Sequence, residues 1–186
     1  APAVMEKLEA AGLVPRGAGS LVDVKVCAGS EWCVWGIGDS RGLARQIEDA
    51  LAEIAAVDPV AEPLRIHISG CFHGCAQHQA ADIGLEAVRS SQGAGSEEGF
   101  EVFGGGRLGP EPSAGKRLGR VQLPVTQSTV TAVLRAFLTN RLPGENFASF
   151  VERAGKEVIQ AAREVPNGGG PHGGAGEVAR LAGAAP

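Results

Sequence analysis

Four cysteines stand in two close pairs, Cys27 and Cys33 in CAGSEWC, and Cys71 and Cys75 in GCFHGC. Thiolates are soft, strong ligands, so a C-x5-C followed by a C-x3-C points to one metal centre. Zinc and an iron–sulfur cluster can both take four thiolates. Structural zinc sites space their cysteines by roughly two to four residues, a range that the second pair meets and the first exceeds. The spacing favours iron–sulfur, with zinc, and unrelated or disulfide-bonded cysteines, as the other readings. Trp32, Trp35 and Phe72 share these loops, so the centre is expected to be partly dry, a condition that tunes a redox potential.

The elements that must position the cysteines repeat one pattern: strand, cysteine loop, helix. A β-rich run over residues 21–26 delivers Cys27, and a second over 64–69 delivers Gly70 and Cys71. Behind the first loop, Asp39 or Ser40 can cap a helix with Leu43, Ile47, Leu51 and Ile54 on one face. Behind the second, a short helical stretch to Ala81 leads into a third strand over 82–88. Ligands on neighbouring strand ends converge on one point, as α/β sheets build their sites.

Further along, residues 90–99 read as a polar turn, 100–103 as a strand, 111–119 as a loop and 121–123 as a short strand. Val130, Val133, Leu134, Phe137 and Leu138 mark an amphipathic helix, and another is expected over 147–165. A short helix over 4–11 precedes the first strand, and Pro59 and Pro63 bracket a linker. Residues 166–186, rich in Gly and Ala, read as a disordered tail. The expected fold is α+β: one mixed sheet with helices on its faces and the cysteine loops at strand ends.

Composition narrows the function. A formal charge of −4 with scattered Arg and Lys offers no basic patch for nucleic acid. No apolar run reaches the roughly 18 residues of a membrane span. The opening residues lack the pattern of a secretory signal, so a cytoplasmic, reducing location is expected, where thiols bind metals more often than they pair. The chain starts on Ala1 rather than Met, as a piece of a longer chain would. Glycine is abundant at 28 residues. The Gly104-Gly105-Gly106 run does not fit a nucleotide-binding fingerprint and reads as backbone making room for a cofactor or a neighbouring strand.

In this order, CAGSEWC, SGCFHGCAQHQAADIGL and VFGGGRLG resemble the iron–sulfur half of the nitrite/sulfite reductase family, over roughly residues 8–154. The resemblance implies that Cys27, Cys33, Cys71 and Cys75 hold a [4Fe–4S] cluster and that Cys75 also ligates the iron of sirohaem. It implies six-electron reduction of sulfite to sulfide or nitrite to ammonia, with ferredoxin or a flavoprotein as electron donor. Most residues for haem and anion belong to the family's N-terminal half, so this chain is expected to be a fragment or split subunit that needs that half as partner. Residues 1–19 would then be the end of a preceding ferredoxin-like half-domain, 20–165 the cluster domain and 166–186 the tail.

Arg107, in a loop suited to close approach, is the expected contact for the small inorganic anion, while Arg41 and Arg45 read as a solvated helix face. The family's second motif usually reads GCPNGC or GCxNxC, and here Phe72 and His73 occupy the intervening positions. His73 reads either as a solvated loop residue or as a hydrogen-bond donor near the cluster. His67 and His78 are expected on a strand face and a helix surface. Two other functions fit the cysteines: a precorrin-3B synthase-like protein of cobalamin biosynthesis, and a non-enzymatic electron-transfer module.

Overall fold

The computed structural model describes residues 2–13, 23–57, 64–92 and 95–163. The linker prolines, the C-terminal tail and the first residues of the expected first strand lie outside these. The elements run α1 (Pro2–Ala10), β1 (Val24–Val26), α2 (Gly29–Trp32), α3 (Ser40–Val57), β2 (Ile66–Ser69), β3 (Ile83–Gln92), β4 (Gly95–Gly104), β5 (Lys116–Gln122), α4 (Thr126–Asn140) and α5 (Phe147–Arg163).

The five strands form one mixed sheet in the order β1-β2-β3-β4-β5. β1, β2 and β3 run parallel, and β4 and β5 continue antiparallel. Register assigns the two faces. Val24, Ile66 and Ile83 stand in one row, Val26, Ile68, Leu85 and Val102 in the next, and Ala87, Phe100 and Val121 in a third. These rows form the apolar face, on which α3, α4 and α5 pack. Each helix contributes the stripe its spacing predicts: Leu43, Ile47, Leu51 and Ile54 from α3, Val130, Val133, Leu134 and Phe137 from α4, and Phe147, Phe150, Val158 and Ile159 from α5. Burying each such side chain favours folding by about 1.5–3 kcal/mol before entropy is counted.

Asp39 rather than Ser40 caps α3, because its Oδ1 accepts the Gly42 N–H at 2.8 Å. That frees the Ser40 hydroxyl, wholly buried, for another task. Pro2–Ala10 forms the expected first helix but buries none of its residues.

The opposite sheet face is mostly polar, with Phe103 buried there against His78. Lys25, His67 and Gly84 form one row, and Ser69, Glu86, Glu101 and Arg120 the next. A single 3₁₀ turn over His78–Ala80, in place of the expected helical stretch, covers this face beside β2 and β3.

Three further segments depart from the sequence reading. The expected turn over 90–99 is mostly strand: β3 and β4 pair from Ile83–Gly104 out to Gln92–Gly95. A ladder pairs its own backbone groups whatever side chains it carries, so polarity did not mark it. Lys116–Gly119, read as loop, begins β5, an edge strand whose charge resembles a turn but guards an exposed edge. The four-residue α2 between Cys27 and Cys33 was not expected, being too short for any periodicity.

Candidate metal centre

β1 and β2 end side by side and point the same way, so Cys27 and Cys71 leave from the same edge of the sheet. The Cys27 N–H extends the ladder by donating to the Ile68 carbonyl at 3.2 Å. Two residues then organise the rest. Gly70 donates its N–H to Cys27 Sγ at 3.0 Å, and its carbonyl accepts the N–H groups of Ile37 at 2.7 Å and Gly38 at 3.2 Å. This closes the first cysteine loop, in which the Cys33 N–H ends α2 on the Gly29 carbonyl at 2.9 Å. Ser69, buried, accepts the Ala76 N–H on its hydroxyl oxygen at 3.3 Å and so holds the Cys75 limb of the second loop. All four cysteine segments are thereby tied to Ser69-Gly70.

Only glycine fits at position 70. A Cβ there would stand 2.9 Å from Gly29 Cα, 3.1 Å from the Gly38 carbonyl oxygen and 3.4 Å from Cys27 Sγ. The two loops touch backbone to backbone, which no side chain would permit.

The thiols form a graded set: Cys71 is buried, Cys27 and Cys33 are half-buried, Cys75 is exposed, and all four are free. Burial pulls the Cys27 thiol upward, but the Gly70 N–H, the Ser40 hydroxyl and the Gly29 N–H pull it down further, to a value below the ordinary one. Ser40 Oγ lies 3.6 Å from Cys27 Sγ and donates to the Cys27 carbonyl at 3.1 Å. Among the described residues, no three His, Cys, Asp or Glu side chains stand close enough together to hold a metal ion. The expected convergence therefore reaches the neighbouring strand ends and their loops, and stops short of a closed ligand shell.

The aromatic residues do not enclose the site. Trp32 is 71% exposed, and Trp35 and Phe72 67% each, with Val34 beside them at 93%. They form an apolar rim open to water, so the dryness expected of the loops is not provided by the described residues. Within the rim, His73 stacks on Phe72 at 4.2 Å between ring centroids, leans on Trp35 at 5.9 Å, and places Nδ1 3.4 Å from Cys71 Sγ.

His78 is wholly buried, not on a helix surface. Its Nδ1 meets Ser69 Oγ at 3.0 Å, and its Nε2 lies 3.0 Å from Glu86 Oε2, off the line of a good hydrogen bond. Burial holds its pKa below the ordinary value despite the opposing Glu86 carboxylate. With a neutral ring whose proton sits on Nε2, toward the Glu86 carboxylate, the Ser69 hydroxyl donates to Nδ1 while accepting from Ala76. The Cys75 limb thus hangs on a chain running Ala76, Ser69, His78, Glu86. Sequence reading missed it, because Ser69 and Glu86 carry no local signal and meet only through register. His67 lies on its strand face as expected, its Nδ1 3.1 Å from the Gln77 carbonyl oxygen.

Arg41 and Arg45 are exposed on α3, as expected. Arg107 is held by its own loop: its Nε donates to the Glu111 carbonyl at 2.9 Å and Nη2 lies 3.5 Å from the Glu111 carboxylate. It lines a cavity of about 340 Å³ with Gly74, Gln77 and Ser113, against the Cys75 loop. Gly106 beside it makes room for backbone: a Cβ would stand 2.4 Å from the Gln79 carbonyl oxygen. Arg65 secures this contact, donating to Asp82 Oδ2 at 3.0 Å and to the Gly106 carbonyl at 3.1 Å.

The kind and number of donors fit an iron–sulfur cluster: four free thiols on two adjoining loops, one already receiving an N–H bond of the sort that stabilises cluster sulfur. The class so defined is an α+β domain with cysteine loops built at parallel strand ends. Comparison with known proteins agrees with it. Residues 17–167 match the family model described as the nitrite and sulphite reductase 4Fe-4S domain, and the chain belongs to that family of oxidoreductase domains. It is 32% identical over 160 residues to sulfite reductase [ferredoxin] 1 of Mycolicibacterium paratuberculosis, covering 82% of this chain and 28% of the relative. It is 28% identical over 134 residues to the assimilatory ferredoxin-dependent nitrite reductase of Haloferax mediterranei, covering 72% of this chain and 23% of the relative. The solved structure of the Mycobacterium tuberculosis NirA protein superposes with a TM-score of 0.70 at 31% identity, over 84% of this chain and 30% of that one. The chain thus spans less than a third of each of these relatives. Among the described residues no helix is long and apolar enough to cross a membrane.

Proposed function

We propose that Cys27, Cys33, Cys71 and Cys75 hold a [4Fe–4S] cluster, and that Cys75 shares its sulfur with the iron of sirohaem. The reading is supported by one observation: two loops remote in sequence, each carrying two free cysteines, are tied together at the single dipeptide Ser69-Gly70. When bound, the paired cofactors supply one-electron transfer and binding of a small anion to iron. The chain's own residues do the rest. Gly70 donates to the Cys27 thiolate and fixes both loops, and Ser69 holds the Cys75 limb. Cys75, the exposed thiol, is the one that faces outward to a second metal centre. The apolar rim of Trp32, Val34, Trp35 and Phe72 excludes water once the N-terminal half of the reductase covers it.

The reaction is six-electron reduction of sulfite to sulfide or nitrite to ammonia. Ferredoxin, named in both curated relatives, is the donor favoured over a flavoprotein. Arg107, in the cavity against the Cys75 loop, is the proposed anion contact. Residues 20–165 form the cluster domain, preceded by the end of another half-domain in 1–19 and followed by a tail. No feature of the site favours the precorrin-type alternative.

Anaerobic reconstitution of the full chain with iron and sulfide tests the cluster. A brown protein with about four irons and four labile sulfides is expected; a colourless protein holding zinc and no sulfide overturns the assignment.

A further inference from the structure

We propose that His73 is a positioning residue for the redox centre: its Nδ1–H bonds to the Cys71 thiolate and makes the cluster easier to reduce. The inference rests on the cluster ligation proposed above and assigns a specific task to the histidine of GCFHGC.

Three observations carry it. Nδ1 of His73 lies 3.4 Å from Cys71 Sγ, within reach of an N–H···S bond. The ring is held from both loops, stacked at 30° on Phe72 of its own loop and tilted at 50° against Trp35 of the other. Cys71 is the buried thiol of the four, so a protein donor counts more there than at a sulfur that water can reach. His73 is itself exposed, and these ring contacts are what hold its donor toward the sulfur rather than leaving it to rotate into solvent.

The sign follows from charge. Reduction adds one electron from the one-electron donor protein to the cluster, and the added negative charge spreads onto the sulfur ligands. A fixed N–H aimed at one of those sulfurs stabilises the reduced form more than the oxidised form. No bond to His73 is made or broken, and its proton stays on Nδ1.

The test compares reconstituted full-length wild type with His73→Phe and His73→Asn by redox titration at one fixed alkaline pH, following the cluster's own absorbance. Phenylalanine keeps the stack and removes the donor. At the wild-type midpoint, the oxidised-to-reduced ratio of His73→Phe is expected to rise about three- to tenfold, as befits one lost hydrogen bond. Asparagine restores a donor and is expected to recover most of the difference. Equal midpoints for wild type and His73→Phe, both with intact clusters, overturn the inference and leave the ligation standing. A wild type that holds no cluster overturns both.

Should His73→Phe fail to retain its cluster, the loaded wild type still decides. Nitrogen NMR of His73 in the oxidised, cluster-loaded chain, where the Cys71 sulfur can only accept, is expected to show the Nδ1–H tautomer, the less common form of a free imidazole; the Nε2–H tautomer overturns the proposal.

Discussion

Gly70 and Cys27 are 43 positions apart, yet the amide of one meets the sulfur of the other at 3.0 Å. This bond joins the ends of two parallel strands and makes the thiol a better anion. It also sets the spacing of the loops, since the Gly70 carbonyl takes the Ile37 N–H at 2.7 Å.

Gly70→Ala should therefore be far more damaging than an exposed alanine substitution. Its Cβ presses on Gly29 Cα and on Cys27 Sγ, and backbone cannot yield as a side chain tip can. A cost of about 1–3 kcal/mol is expected by urea denaturation, together with loss of cluster on reconstitution. Wild-type stability and iron content in the variant would refute the role given to this contact.

Alanine at Cys27, Cys33 or Cys71 should abolish cluster retention, measured as iron and labile sulfide per chain. In the unloaded protein the order of alkylation by iodoacetamide, read by peptide mass spectrometry, should follow exposure, with Cys75 first and Cys71 last. Reversal of that order would mean that the loops are not arranged as described.

The two buried histidines make stability depend on pH. Burial lowers the pKa of both His67 and His78, with the Gln77 carbonyl opposing at the first and Glu86 at the second. As pH falls below the unfolded value of about 6.5, the unfolded chain takes up protons first. Stability is thus full above that value, declines through the window down to the depressed folded values, and then levels off from this source. Urea midpoints of the unloaded chain at neutral and mildly acidic pH should show the decline, and His78→Gln should flatten it. A slope unchanged in that variant would remove His78 as its cause.

Glu145 and Arg153 lock the turn between α4 and α5. Arg153 Nε and Nη2 donate to Oε1 at 2.9 Å and Oε2 at 2.8 Å, and Oε2 also accepts the Leu142 N–H at 2.9 Å. The Arg153 bonds hold the Glu145 carboxyl below the ordinary range. That contribution is present above about pH 4 and fades as pH falls through the depressed value. Glu145→Gln should cost roughly 1 kcal/mol at neutral pH and little in strong acid. Equal losses at both would show that charge is not the source.

How much could be read beforehand depends on the range of each signal. Cys27, Cys71 and the α3 stripe were legible because spacing and alternation are local. The pairing of β1 with β2 was legible as a motif, since each cysteine loop follows a strand. Ser69, Gly70 and Glu86 were not, because their meaning lies in register. The length of β3 and β4 was hidden for a related reason: backbone pairing extends past the last buried side chain. His78 was misread because its segment is a 3₁₀ turn lying across the polar sheet face, not an amphipathic helix. The rim aromatics were assigned to the right loops, but their exposure depends on what covers them.

The burial gradient from Cys71 to Cys75 has a consequence for durability. A centre seated on thiols so arranged has a weak corner. Oxygen, peroxide and chelators arrive first at Cys75, while Cys71 is sheltered by the chain itself. Decay of such a cluster would begin with the loss of the iron nearest Cys75, leaving the inner ligands in place as a scaffold for repair. Any partner that covered the rim would then act as a guardian of the centre.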